Sequence, residues 1–355
     1  MLALSTNSDF VVQLAWWAGK AAAIGAVLLL ICVFLLHVRQ RSVDRHRKNV
    51  IVKWRPILTE TILRSWDETI RLPRLHSDDM EAFLHEWNVF HDSITGEGSI
   101  HLNKLARKLK IDRAARRMLR DKRVYTKLLA VATLGHLKDQ TCWELLEPEL
   151  DADNLPLSLV AARALVQIDA TRAVPLIIPR ILERDDWPPG RLGSLLQEAG
   201  PGAVVDSLRS AISSGTPEGI GKLVIFLDAM PGPEADEIIS QLLRDSDDGR
   251  VIASCLNMVK NPADLPLLRQ LTCHHFWHIR MLSAKALGRI GKKEDTDQLI
   301  RLLTDSQWWV RYRAAQALAR LPWISQQILE RIQSEQTDGF AADILEQVMA
   351  EGEYA

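Results

Sequence analysis

IRMLSAKALGRI (residues 279–290) and VRYRAAQALARL (residues 310–321) decide how this chain reads. Aligned with Ile279 over Val310, they put small or apolar side chains in the same places: Ser283/Ala314, Ala286/Ala317, Leu287/Leu318 and Ile290/Leu321. Those places share one face of an α-helix. The face recurs on the anchors Leu134, Leu165, Leu196, Phe226, Leu256, Leu287 and Leu318, with a nearly constant step from each to the next. Three places after each anchor come Leu137, Ile168, Ala199, Ala229, Val259, Ile290 and Leu321. One place before come Thr133, Ala164, Leu195, Ile225, Cys255, Ala286 and Ala317. A fixed period of roughly 30 residues marks a repeat architecture, in which each unit buries its faces only against its neighbours.

Between the anchored helices lies a second short amphipathic segment, as in residues 174–182, 204–212, 235–243, 264–271 and 296–303. Joints such as Asp186-Trp187-Pro188-Pro189-Gly190, Pro231-Gly232-Pro233 and Asn261-Pro262 carry turn chemistry. No β-branched run alternates with period two, so no strand is expected. The fold class is all-α. The acidic pairs Asp78-Asp79, Asp185-Asp186 and Asp247-Asp248 are expected as helix N-caps.

Outward from the repeats, residues 11–38 read VVQLAWWAGKAAAIGAVLLLICVFLLHV, long enough for one transmembrane helix. Trp16 and Trp17 suit an interfacial aromatic belt, and Lys20 can reach the same interface. The run ends at Arg39, Arg41, Arg45, Arg47 and Lys48, a stop-transfer flank. The positive-inside rule then places residues 1–10 as a short extracytoplasmic tail and everything after the flank in the cytoplasm. Neither a basic segment before the run nor a small-residue cleavage site after it supports a signal peptide. Residues 39–120 form a basic helical region next to the membrane, and residues 121–355 the repeat array with a C-terminal cap. From Arg39 to Arg123 there are 20 Lys/Arg against 12 Asp/Glu, while the remainder after residue 123 carries a net −9. The basic third fits anionic lipid, or an acidic partner. A pI of 6.8 argues against nucleic acid. In the basic region, Trp54 opens an amphipathic run to Ile70, Met80–Ile94 forms a second helix, Gly96-Glu97-Gly98 breaks it, and Leu102 starts a third.

Little in the chain is arranged for chemistry. His274, His275 and His278 form the clearest cluster with metal-ligand character, but no Glu follows the first His and no carboxylate completes the set. The four cysteines contain no CxxC pair. Phosphate-binding loops, nucleophile elbows and kinase motifs are absent. No metal, no cofactor and no catalysis are expected.

The helix pairs resemble HEAT repeats in their short bacterial form, through Leu302-Leu303-Thr304-Asp305 followed by Val310-Arg311-Tyr312-Arg313-Ala314-Ala315-Gln316-Ala317-Leu318. The resemblance implies an Asp at the inter-helix turn that bonds the next unit, with a basic residue six places later, as in Asp305 with Arg311. Ser213 and Leu243 stand at the Asp place in the middle units, so the ladder is expected to be incomplete there. The layout as a whole resembles single-span HEAT-repeat proteins that accompany bacterial exopolysaccharide glycosyltransferases. That likeness rests on the anchor, Trp54-Arg55-Pro56, Glu86-Trp87-Asn88, Leu102-Asn103-Lys104-Leu105-Ala106-Arg107 and Trp308-Trp309-Val310-Arg311. It implies a non-catalytic scaffold in the bacterial inner membrane, with a membrane glycosyltransferase as partner. Two alternatives are a membrane-tethered signalling adaptor and, by fold analogy alone, a bilin lyase-like enzyme. Candidate partner contacts are Trp277, Arg280, Lys285, Arg289, Trp308, Trp309, Arg311, Arg313, Gln316 and Arg320. Trp308 and Trp309 also read as packing between repeats.

Overall fold

The computed structural model describes residues 5–63, 72–230 and 232–352; many side chains between residues 5 and 44 lie outside that description. Among the described residues there are helices and no strands, and the chain divides into two compact units, Met1–Leu137 and Lys138–Ala355.

The first unit contains α1 (Ser5–Leu63), α2 (Met80–Asp92), α3 (Glu97–Lys108), α4 (Ile111–Met118) and α5 (Val124–Leu137). The expected spanning segment 11–38 and the amphipathic run from Trp54 belong to one helix. The tail of that run, to Ile70, falls outside the described residues, as do the side chain of Arg39 and many of those in 11–38. Among the described residues, no helix is long and apolar enough to cross a membrane. Arg41, Arg45 and Lys48 are exposed and Arg47 is half-buried.

The core of this unit gathers Trp54, Leu58, Phe83, Leu84, Trp87, Leu102, Leu105 and Ile111. Trp54 meets Phe83 edge-on at 4.8 Å, the geometry that aromatic quadrupoles favour. Polar side chains beside these tryptophans tie the helices together. Arg55 Nε donates to Glu86 Oε1 at 2.7 Å. Asn88 Nδ2 donates to the Leu129 carbonyl at 3.2 Å and Asn88 Oδ1 accepts from Thr133 Oγ1 at 3.2 Å. Asn103 Nδ2 donates to the His136 carbonyl at 2.9 Å. Trp54-Arg55, Glu86-Trp87-Asn88 and Asn103 thus fasten the helices of this unit together. One boundary differs from expectation: α3 starts at Glu97, not Leu102, with Gly98 inside it. A Cβ on Gly98 would stand 2.8 Å from Ile94 Cγ2 and 3.1 Å from Ile62 Cγ2. Glycine there permits close helix approach, and the turn itself is made by Gly96 at φ +74°.

The second unit runs α6 (Trp143–Leu146), α7 (Leu155–Ile168), α8 (Ala170–Glu183), α9 (Pro189–Ala199), α10 (Pro201–Ser214), α11 (Pro217–Leu227), α12 (Pro233–Asp245), α13 (Gly249–Met258), α14 (Leu265–Leu271), α15 (Trp277–Ile290), α16 (Thr296–Leu302), α17 (Trp308–Arg320), α18 (Gln326–Ser334) and α19 (Gly339–Glu351). The odd-numbered helices from α7 to α17 carry the anchors. Neighbours in that series pack together: α7 on α9, α11 on α13, α13 on α15, α15 on α17, and α17 on α19. Leu165, Leu196, Phe226, Leu256, Leu287 and Leu318 are all buried. Ile225, just before its anchor, is 38% exposed, so the middle of the array keeps the anchor but loses part of its face. The C-terminal cap continues the register. Ala341, Leu345 and Val348 are buried at the places that the buried Val310, Ala314 and Ala317 hold one unit earlier.

Helices α15 and α17 meet almost backbone to backbone. A Cβ on Gly288 would stand 2.7 Å from Ala317 Cβ and 2.8 Å from Ala317 Cα. Ionic contacts lock the same pairs of units. Asp305 accepts from Arg280 Nε at 2.7 Å and Nη2 at 2.8 Å, while Arg280 Nη1 donates to the His274 carbonyl at 2.9 Å. Arg311 Nη1 donates to Asp338 at 2.8 Å, and Arg311 Nε bonds the carbonyl, not the carboxylate, of Asp305. Farther back, Arg180 holds Asp151 through two bonds of 2.7 Å. In the middle, where the Asp place is lost, Ser240 Oγ donates to the buried Asp264 at 2.6 Å instead. The acidic pairs act mostly as ion-pair partners rather than as caps. Asp79 bonds His46, Asp185 bonds Lys222 and Asp186 bonds Arg184. Of the expected cappers, Asp248 does cap α13, accepting from the Arg250 backbone.

Gly288→Ala sets a helix-propensity gain of about 1 kcal/mol against an overpacking cost of about 1–3 kcal/mol. Because Ala317 Cα is backbone and cannot swing away, the substitution should lower the urea unfolding midpoint; a raised midpoint would show that the helices can part freely. Arg280→Gln leaves Asp305, only 9% exposed, without its cation, a loss of about 3 kcal/mol. Burial alone would raise the Asp305 pKa, but the Arg280 guanidinium and the Gln307 backbone N–H outweigh it and hold the group below its ordinary 3.8. The stabilisation is thus complete above that ordinary value and lost as pH falls through the lower folded value. Acid melting curves of wild type and R280Q should therefore converge at low pH.

Candidate interaction surface

The candidate contacts divide into two groups with different environments. Trp277, Trp308 and Trp309 start α15 and α17, with Phe276 just before α15 and Phe340 in the first turn of α19. Each lies at least 40% exposed, up to 72% at Phe340. Trp308 stacks on Tyr312 at 5.0 Å with planes 9° apart, and meets Trp309 edge-on at 4.8 Å. These rings pack within their own helix and still present their outer faces to solvent. Arg280 and Arg311, beside them in sequence, are committed to the inter-repeat ion pairs. His274, His275 and His278 share this edge. His274 Nδ1 accepts from the Phe276 backbone at 3.1 Å, and His274 precedes the helix, so the i, i+4 spacing does not set two imidazoles on one helical face. Burial and the neighbouring cationic groups hold the His274 imidazole below its ordinary pKa. Among the described residues, no three potential ligands come together for a metal.

Lys285, Arg289, Arg313, Gln316 and Arg320 do come together. With Gly288 and Ala317 they line a cavity of about 180 Å³ between α15 and α17. Spacing explains the meeting: residues 285 and 289 lie one turn apart on α15, and 313, 316 and 320 on the facing stripe of α17. Lys285 Nζ donates to Asn257 Oδ1 at 3.0 Å. The Arg289 guanidinium caps the C-terminus of α13, donating to the carbonyls of Leu256, Asn257 and Val259 at 2.7–3.1 Å. Its charge is partly met by the negative end of that helix dipole. Arg313 Nη1 donates to Gln316 Oε1 at 2.6 Å, and Gln316 Nε2 to Tyr312 Oη at 3.0 Å. Burial, then the nearby Arg313, Arg289 and Arg320, push the Lys285 ammonium below its ordinary pKa. Burial likewise lowers that of Arg289, against a pull from Asp228. Asp228 is itself held by Lys260 at 2.6 Å. Among the described residues no carboxylate forms an ion pair with Lys285, Arg289 or Arg313.

Two supports of this pocket are not legible in the sequence. Asn257 and Gly288 act across to a neighbouring helix, and a helix's own periodicity carries no record of its neighbour, whereas Tyr312 holds Gln316 one turn away on α17 itself. Phe340 is legible, since it occupies the Trp309 position of the next unit.

No curated protein matches the chain. Among solved structures, an engineered protein is similar at 15% identity and TM-score 0.34, over 79% of this chain and 86% of that one. The complex of CpcE and CpcF of phycocyanin lyase from Nostoc matches at 16% and 0.28, over 80% and 100%. Microtubule polymerases with tumor overexpressed gene domain arrays match at 11% and 0.31, over 88% and 97%. Residues 249–319 match a family described as HEAT repeats, a stretch that takes in the exposed rings at residues 276–309 and every lining residue of the cationic pocket except Arg320.

Proposed function

We propose that this protein is a non-catalytic scaffold, anchored in a membrane by α1, that holds a protein partner on its C-terminal repeats. The observation that carries the reading is the row of exposed aromatic rings at the starts of α15, α17 and α19. Monomeric proteins seldom leave large neighbouring aromatics in water, and Trp with Arg dominates binding hot spots. HEAT repeats supply such surfaces by stacking, with no need for catalytic groups.

Support for the anchor comes from α1. Val27, Leu29, Leu30, Ile31, Val33, Phe34 and Leu35 are each 50–66% exposed. Consecutive residues point all round a helix, so no single protein face can cover them, whereas lipid can. Lys20 Nζ sits 3.5 Å over the Trp16 ring, a pairing suited to an interface. The basic flank at Arg41, Arg45, Arg47 and Lys48 favours a cytoplasmic C-terminus and anionic lipid beside it. The resemblance to exopolysaccharide-system proteins makes an inner-membrane glycosyltransferase the partner of choice.

Purification of the full-length protein in mild detergent should recover an integral membrane protein. Trp308→Ala with Trp309→Ala should reduce that recovery at least about tenfold, a hot-spot loss of about 1.4 kcal/mol or more, without releasing the scaffold from the membrane. No membrane partner in the wild-type eluate would sink the scaffold reading. A C-terminal reporter should be active in the cytoplasm only, and activity on the far side of the membrane would overturn the topology.

A further inference from the structure

In the cationic pocket between α15 and α17, no carboxylate among the described residues pairs with Lys285 or Arg313. Lys285, Arg289 and Arg313 converge there with Arg320, which has an interaction of its own. The hydrogen bonds from Lys285 and Arg313 go to the neutral amides of Asn257 and Gln316. The half-buried Lys285 and Arg313 repel one another, and an anion held between them would relieve that repulsion. Glu351 lies toward this end of the array, but it accepts from Tyr312 and Gln347.

Ligand-sized pockets run to about 300–1,000 Å³, and this one is about 180 Å³, so what it can enclose is about one anionic group. Gly288 and Ala317 add small apolar surface to a cationic lining. A carboxylate on a methylene stem matches both: the stem against Ala317, the oxygens toward the guanidinium forks. We infer that this pocket is a socket for a single acidic side chain of a bound protein segment, so that the partner held by the scaffold reads as an acidic peptide at this point. The inference rests on the scaffold reading above and names the chemistry of its partner.

The test uses full-length protein in detergent, a fluorescent hexaglutamate peptide and fluorescence anisotropy, with hexaglutamine as neutral control. The basic residues between Lys104 and Arg123 can also attract the probe, so the readout is the difference between variants. Lys285→Gln with Arg313→Gln should weaken hexaglutamate binding at least about tenfold, while Lys293→Gln, an exposed lysine outside the pocket, should leave it unchanged. Should the double variant fail to fold, Arg313→Gln alone serves, since Gln316 is the bonded partner it leaves. Equal binding by wild type and the pocket variant overturns the proposal. So does displacement of the peptide by equimolar inorganic phosphate, which would make the pocket a free oxyanion site. Partner recovery without pocket-dependent peptide binding defeats the socket and leaves the scaffold standing; pocket-dependent binding without partner recovery does the reverse.

Discussion

Gly288 and Ala317 come close because glycine has no side chain and alanine only a methyl to keep α15 and α17 apart, and the seam between these two helices depends on that closeness. With the backbones near each other, the long side chains on either side cannot lie in the seam and must turn toward its mouth. Lys285 and Arg289 leave α15 and Arg313 and Arg320 leave α17 toward the same space. Nearer the start of α15, Arg280 reaches Asp305 of the next unit. One missing methyl group thus permits the close packing of α15 on α17, beside which the pocket lies.

The two compact units solve the burial problem differently. The array repeats one apolar face and spreads its stability over many similar seams, as repeat proteins do. The first unit concentrates it in a single cluster around Trp54, Phe83 and Trp87, riveted by Arg55–Glu86 and by the amides of Asn88 and Asn103. Short motifs stand out in its sequence because each residue there has a particular partner, whereas in the array an anchor need only be apolar.

That difference also governs what can be read in advance. The anchors are legible because each records a local, periodic demand, and those from Leu165 to Leu318 are buried. Ile225 misleads, since a pattern position promises burial only if the neighbouring helix is there to give it. The start of α3 is obscured by Gly98, where glycine serves proximity to Ile62 and not a break. The acidic pairs look like caps because a sequence shows which groups are near along the chain, not that His46 or Lys222 waits across space. The pocket residues are legible as candidates, yet their convergence depends on an interhelix distance that no single helix encodes.

The uninterrupted run of α1 has a mechanical consequence. A helix of 59 residues is about 88 Å long at about 1.5 Å per residue, and its far stretch is clamped where Trp54 and Leu58 enter the core. No loop lies between that clamp and Ser5 to absorb a twist. A torque on the N-terminal stretch would therefore be carried along the helix toward the aromatic cluster around Trp54.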